Sequence, residues 1–301
     1  MNKVSGIPLK MKNNKSAGYL FLAPFAVLFT LFTIIPIISS IGLSLTDFNI
    51  LQTPDFVGLE NYRLLLLEDD VFIIALKNTL VFSVVTGPLG YCLAFLLAWV
   101  INKLHFSNVF ALAFYAPSIT SGIAMSQVWL YFFSSDRYGL INDILLKFKI
   151  IDKPVIWTQD PNTILPVIII VTLWMSMGTG FLVFLAGLRN IPDEYYEAGR
   201  IDGIRNAGEE LIYITLPSMK GQMLFGAITS IVASFGVYDI AVAIAGMPSP
   251  QYAGHTIVAH LYDYAFIRFQ MGYASAIAVM LFGLTFFLGQ LCMRIFRSND
   301  Q

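Results

Sequence analysis

Residues Met223-Leu-Phe-Gly-Ala-Ile-Thr-Ser-Ile-Val-Ala-Ser-Phe-Gly-Val-Tyr-Asp-Ile-Ala-Val-Ala-Ile-Ala245 are apolar or small almost throughout, and Asp239 is the one charged side chain among them. As a helix rising about 1.5 Å per residue, such a run spans the roughly 30 Å hydrocarbon core of a bilayer. Tyr273 to Met293 is a second run of this kind. Working outward, four more stretches are long and nearly free of charge, and the six predicted spans are about 17–43, 76–101, 109–133, 164–187, 222–245 and 273–293. The segment 17–43 is longer than the apolar core of a signal peptide and no A-x-A site follows it, so it reads as a retained helix.

The composition agrees. Hydrophobic residues make up 57% of the chain and charged residues 12%, with a mean hydropathy of +0.71. Soluble domains carry about 25% charged residues. A net charge of −1 gives no reason to expect a nucleic acid partner. Cys92 and Cys292 lie in apolar stretches and read as small hydrophobes rather than a disulfide.

Lysine and arginine set the expected orientation. With the amino end inside, the inner segments hold Lys3, Lys10, Lys12, Lys15, Lys103, Arg189, Arg200, Arg205, Lys220, Arg294 and Arg297. The outer segments, though longer, hold Arg63, Lys77, Arg137, Lys147, Lys149, Lys153 and Arg268. Both termini are therefore expected in the cytoplasm, with 1–16 a polar tail and 17–301 the membrane domain. On the outer side, Phe56 to Asp70 predicts a short amphipathic surface helix, and 134–163 predicts a short helix at Leu140–Phe148 followed by an irregular stretch with aromatic residues at the interface.

One inner segment, 188–221, is more ordered than a connector needs. Pro192 stands where a first helical residue is favoured, and Asp193 and Glu194 suit the positive field of that helix start. Tyr195 or Tyr196, Ala198 and Ile201 can share a face. Asp202-Gly203 ends the helix, with glycine fitted to a left-handed cap. A second helical pattern covers about Arg205 to Ile214, and Pro217 is placed to open the next span. The small residues Ala198 and Gly199 would let another surface come close. A helical hairpin that merely joins two spans is the plain alternative.

Glu197-Ala198-Gly199, Asp202-Gly203 and Ile214-Thr215-Leu216-Pro217 resemble the EAA loop of binding-protein-dependent ABC transporter permeases. The family pattern is roughly E-A-A, three residues, G, nine residues, I-x-L-P. Here Gly199 replaces the second alanine and ten residues separate Gly203 from Ile214. Leu22-Ala-Pro-Phe, Leu43-Ser-Leu-Thr-Asp47, Phe56-Val-Gly-Leu-Glu-Asn-Tyr62, Asn78-Thr-Leu80 and Ser234-Phe-Gly-Val-Tyr-Asp239 resemble the carbohydrate-uptake branch, of the maltose-system F and glycerol-phosphate A type. The resemblance implies an all-α membrane protein, the type I importer permease, with six spans and a cytoplasmic helix-turn-helix coupling loop. It implies a non-catalytic subunit that forms half of a sugar path. Its partners would be a second related permease, two ATPase subunits that bind ATP and Mg, and an extracytoplasmic solute-binding protein, all at a bacterial cell membrane. Glu197, Ala198, Gly199, Asp202 and Gly203 would serve ATPase coupling.

The chain has no G-x-x-x-x-G-K-[ST] loop for phosphates, so nucleotide energy would come from elsewhere. Polar and aromatic residues in or near the spans are candidates for the sugar path: Asn78, Gln127, Trp174, Thr179, Ser234, Tyr238 and Asp239. Asp239 stands out because carboxylates are costly at membrane depth. The resemblance favours Ser234, Tyr238 and Asp239, on the fifth span. An ion-coupled secondary transporter is the main alternative; the spans show neither several carboxylates nor broken helices, which such a transporter would use. A membrane enzyme is disfavoured because no catalytic cluster is present. His255 and His260 stand five apart, which suits no helical zinc pair, and read as solvated loop residues.

Overall fold

A computed structural model of the chain describes residues 15–176 and 178–298. Lys3, Lys10 and Lys12 of the expected tail lie outside the described residues. The first span joins α1 (Lys15–Phe29), a π-helical turn (Thr30–Ile34) and α2 (Ile35–Leu43). No residue in its most apolar window is buried against the chain. A two-residue pairing of β1 (Thr46–Asp47) with β2 (Asp55–Phe56) leads to α3 (Glu60–Leu67), the expected outer surface helix, which buries Asn61 and Leu65.

The second span, α4 (Asp70–Asn102), is continuous and longer than its apolar run. Asp69 explains the early start, because its side chain accepts a hydrogen bond from the Phe72 N–H at 2.9 Å and caps the helix. At its 33 residues, α4 is about 50 Å long and serves as the axis of the fold. It packs on the fourth and fifth spans.

Three spans are interrupted, which corrects the expectation of unbroken helices. The third consists of α5 (Ser107–Ile119) and α6 (Gly122–Phe132), meeting at 97°. Pro117 and the extended backbone of Thr120 make that corner. After α7 (Leu140–Lys147), the other expected outer helix, the fourth span comprises α8 (Pro161–Met175) and α9 (Thr179–Arg189), with Gly178 in a non-helical conformation between them.

The hairpin contains α10 (Asp193–Ile201), α11 (Ala207–Glu210), a π-helical turn (Leu211–Thr215) and α12 (Leu216–Ser218). Pro217 lies within α12 rather than opening the fifth span, which begins at Lys220. That span is α13 (Lys220–Phe235) followed by α14 (Asp239–Ala245). A short α15 (Ile257–Tyr262) and a π-helical turn precede the last span, α16 (Met271–Ser298).

The core is layered along α4. Leu65, Phe72, Ile257 and Ile277 pack at one end. Phe82 joins Ile164, Val171 and Ala241 in the next layer. Ala94, Phe95, Phe181, Phe184 and Met219 form the layer toward the hairpin. The side chains facing away from these layers are large, apolar and exposed, as a lipid-facing surface requires.

Candidate functional site: a cavity at three interrupted spans and a helical hairpin

The three interruptions meet. Thr120 and Gly122 of the third span, Ser176 and Gly178 of the fourth, and Gly236, Tyr238 and Asp239 of the fifth all line one cavity of about 470 Å³. It lies along α4 at Thr86, Gly90 and Tyr91, between the Phe82 layer and the Phe184 layer. Non-helical backbone at membrane depth is tolerated where it faces protein or a water-filled cavity, because lipid cannot satisfy its N–H and C=O groups. Close approach is built in at Gly178, where an added Cβ would stand 2.5 Å from Ser118 Cβ.

Hydroxyls dominate the polar lining: Thr86, Ser118, Thr120, Thr172, Ser176, Thr229, Ser230 and Ser234. Several bond to their own helix, as Ser118 does to the Tyr115 carbonyl at 2.8 Å and Ser234 to the Ile231 carbonyl at 2.9 Å. Ser230 crosses to the Gly87 carbonyl at 2.9 Å. The Thr172 hydroxyl is buried and has no hydrogen-bond partner among the described residues. Asp239 is exposed to the cavity. Tyr238 stacks near Tyr262, ring centroids 4.8 Å apart.

Of the residues singled out for a sugar path, Ser234, Tyr238 and Asp239 are brought together here. The Thr179 side chain lies outside the described residues. Three others stand elsewhere. Asn78 donates to the carbonyls of Tyr252 and His255 at 2.9 and 3.0 Å, fastening an outer loop. Trp174 packs edge-on against Trp129 at 5.3 Å. Gln127 is exposed on α6, away from the cavity lining. The sequence reading missed Thr172, Ser176 and Ser230; their signal was a hydroxyl within an apolar run, with a glycine within four residues of Ser176 and Ser230.

The hairpin packs at the other end of α4. Gly203 has φ of +99°, the left-handed cap expected of it. Asn206 and Glu209 cap α11 reciprocally: the Glu209 N–H donates to Asn206 Oδ1, and the Arg205 N–H to Glu209 Oε2, both at 2.8 Å. Tyr195, Ala198 and Ile201 share an exposed face, while Tyr196 turns inward to the Thr215 hydroxyl at 3.1 Å. Gly199 is buried, and its small size admits the chain's own Ile214 rather than a foreign surface: an added Cβ would meet Ile214 Cδ1 at 2.6 Å. A π-helical turn holds more residues than an α turn, so Leu211–Thr215 accommodates the extra residue before Ile214.

Glu197 lines a charged cleft of about 430 Å³ between hairpin and α4, with Lys103, Arg189, Arg200 and Glu210. Glu210 bridges Lys103 at 3.5 Å and Arg200 at 3.7 Å, tying α10 to the end of α4.

At the opposite end lies a polar cluster that corrects the reading of the histidines. His255 and His260 are both buried, and their rings meet at 3.3 Å. His260 Nε2 lies 3.0 Å from Asp69 Oδ2, which also accepts from the Tyr264 and Tyr273 hydroxyls at 3.2 and 2.8 Å. Burial pushes the Asp69 carboxyl up, but the hydrogen bonds from His260, the Phe72 N–H and Tyr273 outweigh it and hold the group well below the usual carboxylate range. Burial, then the neighbouring His260, lowers His255 to about 4.

Residues 71–297 match the model of the binding-protein-dependent transport system inner membrane component family. The chain belongs to that family. The permease is 34% identical over 271 residues to the arabinooligosaccharides transport system permease protein AraP of Bacillus subtilis, covering 89% of this chain and 85% of that protein. It is 33% identical over 265 residues to the lactose transport system permease protein LacF of Rhizobium radiobacter, covering 87% of each. A chain of a bacterial ABC transporter involved in the import of the acidic polysaccharide alginate superimposes with a TM-score of 0.79 at 20% identity, covering 95% of the permease and 97% of that chain. The permease therefore has the type I importer fold and is a multi-pass membrane protein.

Proposed function

We propose that this permease forms one half of the path of an ATP-driven sugar importer and is coupled to a separate ATPase through the hairpin around Gly203. The observation that carries the reading is the ring of three interrupted spans around one hydroxyl-rich cavity. Sugars present many hydroxyls, and freed backbone groups with serine and threonine match them. AraP and LacF, named for arabinooligosaccharides and lactose, support a saccharide as cargo. The other half of the path is a second, related permease. Two ATPase subunits hold ATP and Mg, an extracytoplasmic binding protein delivers the sugar, and both termini lie in the cytoplasm. The exposed face of Tyr195, Ala198 and Ile201, with Glu197, Asp202 and Gly203 beside it, is the docking surface. An interrupted span also suits ion coupling, but the family supports the ATP-driven reading.

Deleting 197–203, or the substitution Gly203→Asp, is expected to abolish sugar-stimulated ATP hydrolysis and uptake by the assembled transporter while membrane insertion persists. Normal uptake by either variant would refute the docking role. Uptake that survives an inactive ATPase partner would favour ion coupling instead.

A further inference from the structure

We infer that Asp239 makes this cavity discriminate by charge, admitting saccharides without acid groups and rejecting uronates and other anionic sugars. The inference rests on the sugar-import reading above. Asp239 is the only charged side chain among the described residues lining the cavity. It stands at the wall near α6, where an added Cβ on Gly122 would lie 3.9 Å from Asp239 Cβ. No lysine, arginine or histidine in that lining offsets it.

Helix termini do not reverse this sign. A helix start carries about half a positive charge and a helix end about half a negative one. Each interruption brings both to the cavity wall: Thr120, Ser176 and Gly236 at the ends of α5, α8 and α13, and Gly122, Gly178 and Tyr238 at the starts of α6, α9 and α14. The paired ends largely offset one another, and the acidic side chain remains as the net charge on this chain's half of the path. In a cavity walled by apolar layers a like charge is screened far less than in water. A neutral saccharide meets the cavity hydroxyls without that penalty. The fold does not impose this selectivity, since a transporter that imports an acidic polysaccharide contains a chain of the same fold.

The test uses the permease pair with its ATPase subunits in lipid nanodiscs, without nucleotide and without the binding protein, whose own sugar site would otherwise dominate the signal. Calorimetric titration compares two neutral probes, arabinotriose and lactose, with an acidic one, trigalacturonate. Wild type is expected to bind a neutral probe at least about tenfold more tightly than trigalacturonate, and Asp239→Asn to shrink that ratio to within about threefold. Co-purification of all subunits checks assembly of the variant. A purely structural effect weakens both classes alike, so an unchanged ratio in Asp239→Asn overturns the inference. So does trigalacturonate binding by wild type as tight as the neutral probes. If no saccharide of either class binds wild type or stimulates its ATP hydrolysis, the sugar reading itself fails and the inference with it.

Discussion

The imidazole of His260 sits 3.0 Å from the carboxyl group of Asp69, across 191 positions of the chain. The pair fastens α15 to the start of α4, and Tyr264 and Tyr273 close on the same oxygen. With Nε2 of His260 donating to Asp69, its Nδ1 is left to accept from Nε2 of His255.

Asp69→Asn removes the charge that organises this cluster while keeping a helix cap. Losing charge-assisted hydrogen bonds in a buried site costs about 2–3 kcal/mol. The thermal unfolding midpoint of the purified transporter should fall accordingly, and an unchanged midpoint would contradict the assignment.

Acid should loosen the same end. His255 is held neutral in the fold, with its titration lowered to about 4, whereas an unfolded histidine titrates near about 6.5. The unfolded chain takes up the proton first, so this group's contribution is complete above about 6.5 and is lost as pH falls towards about 4. Asp69, also lowered, adds its own loss below about 4. Unfolding midpoints across this range should decline in wild type and flatten between the two values in His255→Gln. A variant as acid-sensitive as wild type would exclude His255 as the source.

Gly199→Val should splay the hairpin, since an added Cβ already stands 2.6 Å from Ile214 Cδ1. Overpacking of this kind costs about 1–3 kcal/mol. The expected result is basal ATP hydrolysis that sugar no longer stimulates, partly rescued by Ile214→Ala in the same chain. Rescue would tie the defect to this contact; full coupling in Gly199→Val alone would show that the contact is dispensable.

Asn142 offers a fourth test. Its side chain donates to the Ser134, Asp136 and Val155 carbonyls and accepts from the Val155 N–H and Trp157 Nε1, all within 3.1 Å. Asn142→Leu leaves several of these groups unpaired at about 1–3 kcal/mol each. Limited proteolysis should then cut between residues 134 and 160 much faster than in wild type.

The spans and the hairpin were legible because their signals are local. Apolar runs mark the spans, and Pro192, Asp202 and Gly203 punctuate the hairpin within a few residues. The interruptions were not legible: Ser176 and Gly178, or Gly236, barely change the hydropathy of a window that averages over a whole span. Asn78 looked like a path residue because it is polar inside an apolar run, yet its partners lie 174 and 177 positions later. The histidine pair was misread for a similar reason. A spacing of five suits no helical pair, but His255 precedes α15 and the turn folds its ring back onto His260.

The layout along α4 separates two mechanical regimes. At one end the Asp69 cluster locks three parts of the chain with charge-assisted bonds, and at the other Glu210 ties the hairpin to the same helix. Between them the neighbouring spans are jointed rather than continuous, all at one depth. On the docking reading proposed above, a push delivered through the hairpin swings the near halves of those spans as short levers while the far halves stay anchored. Opening and closing the path would then require no helix to be bent or unwound.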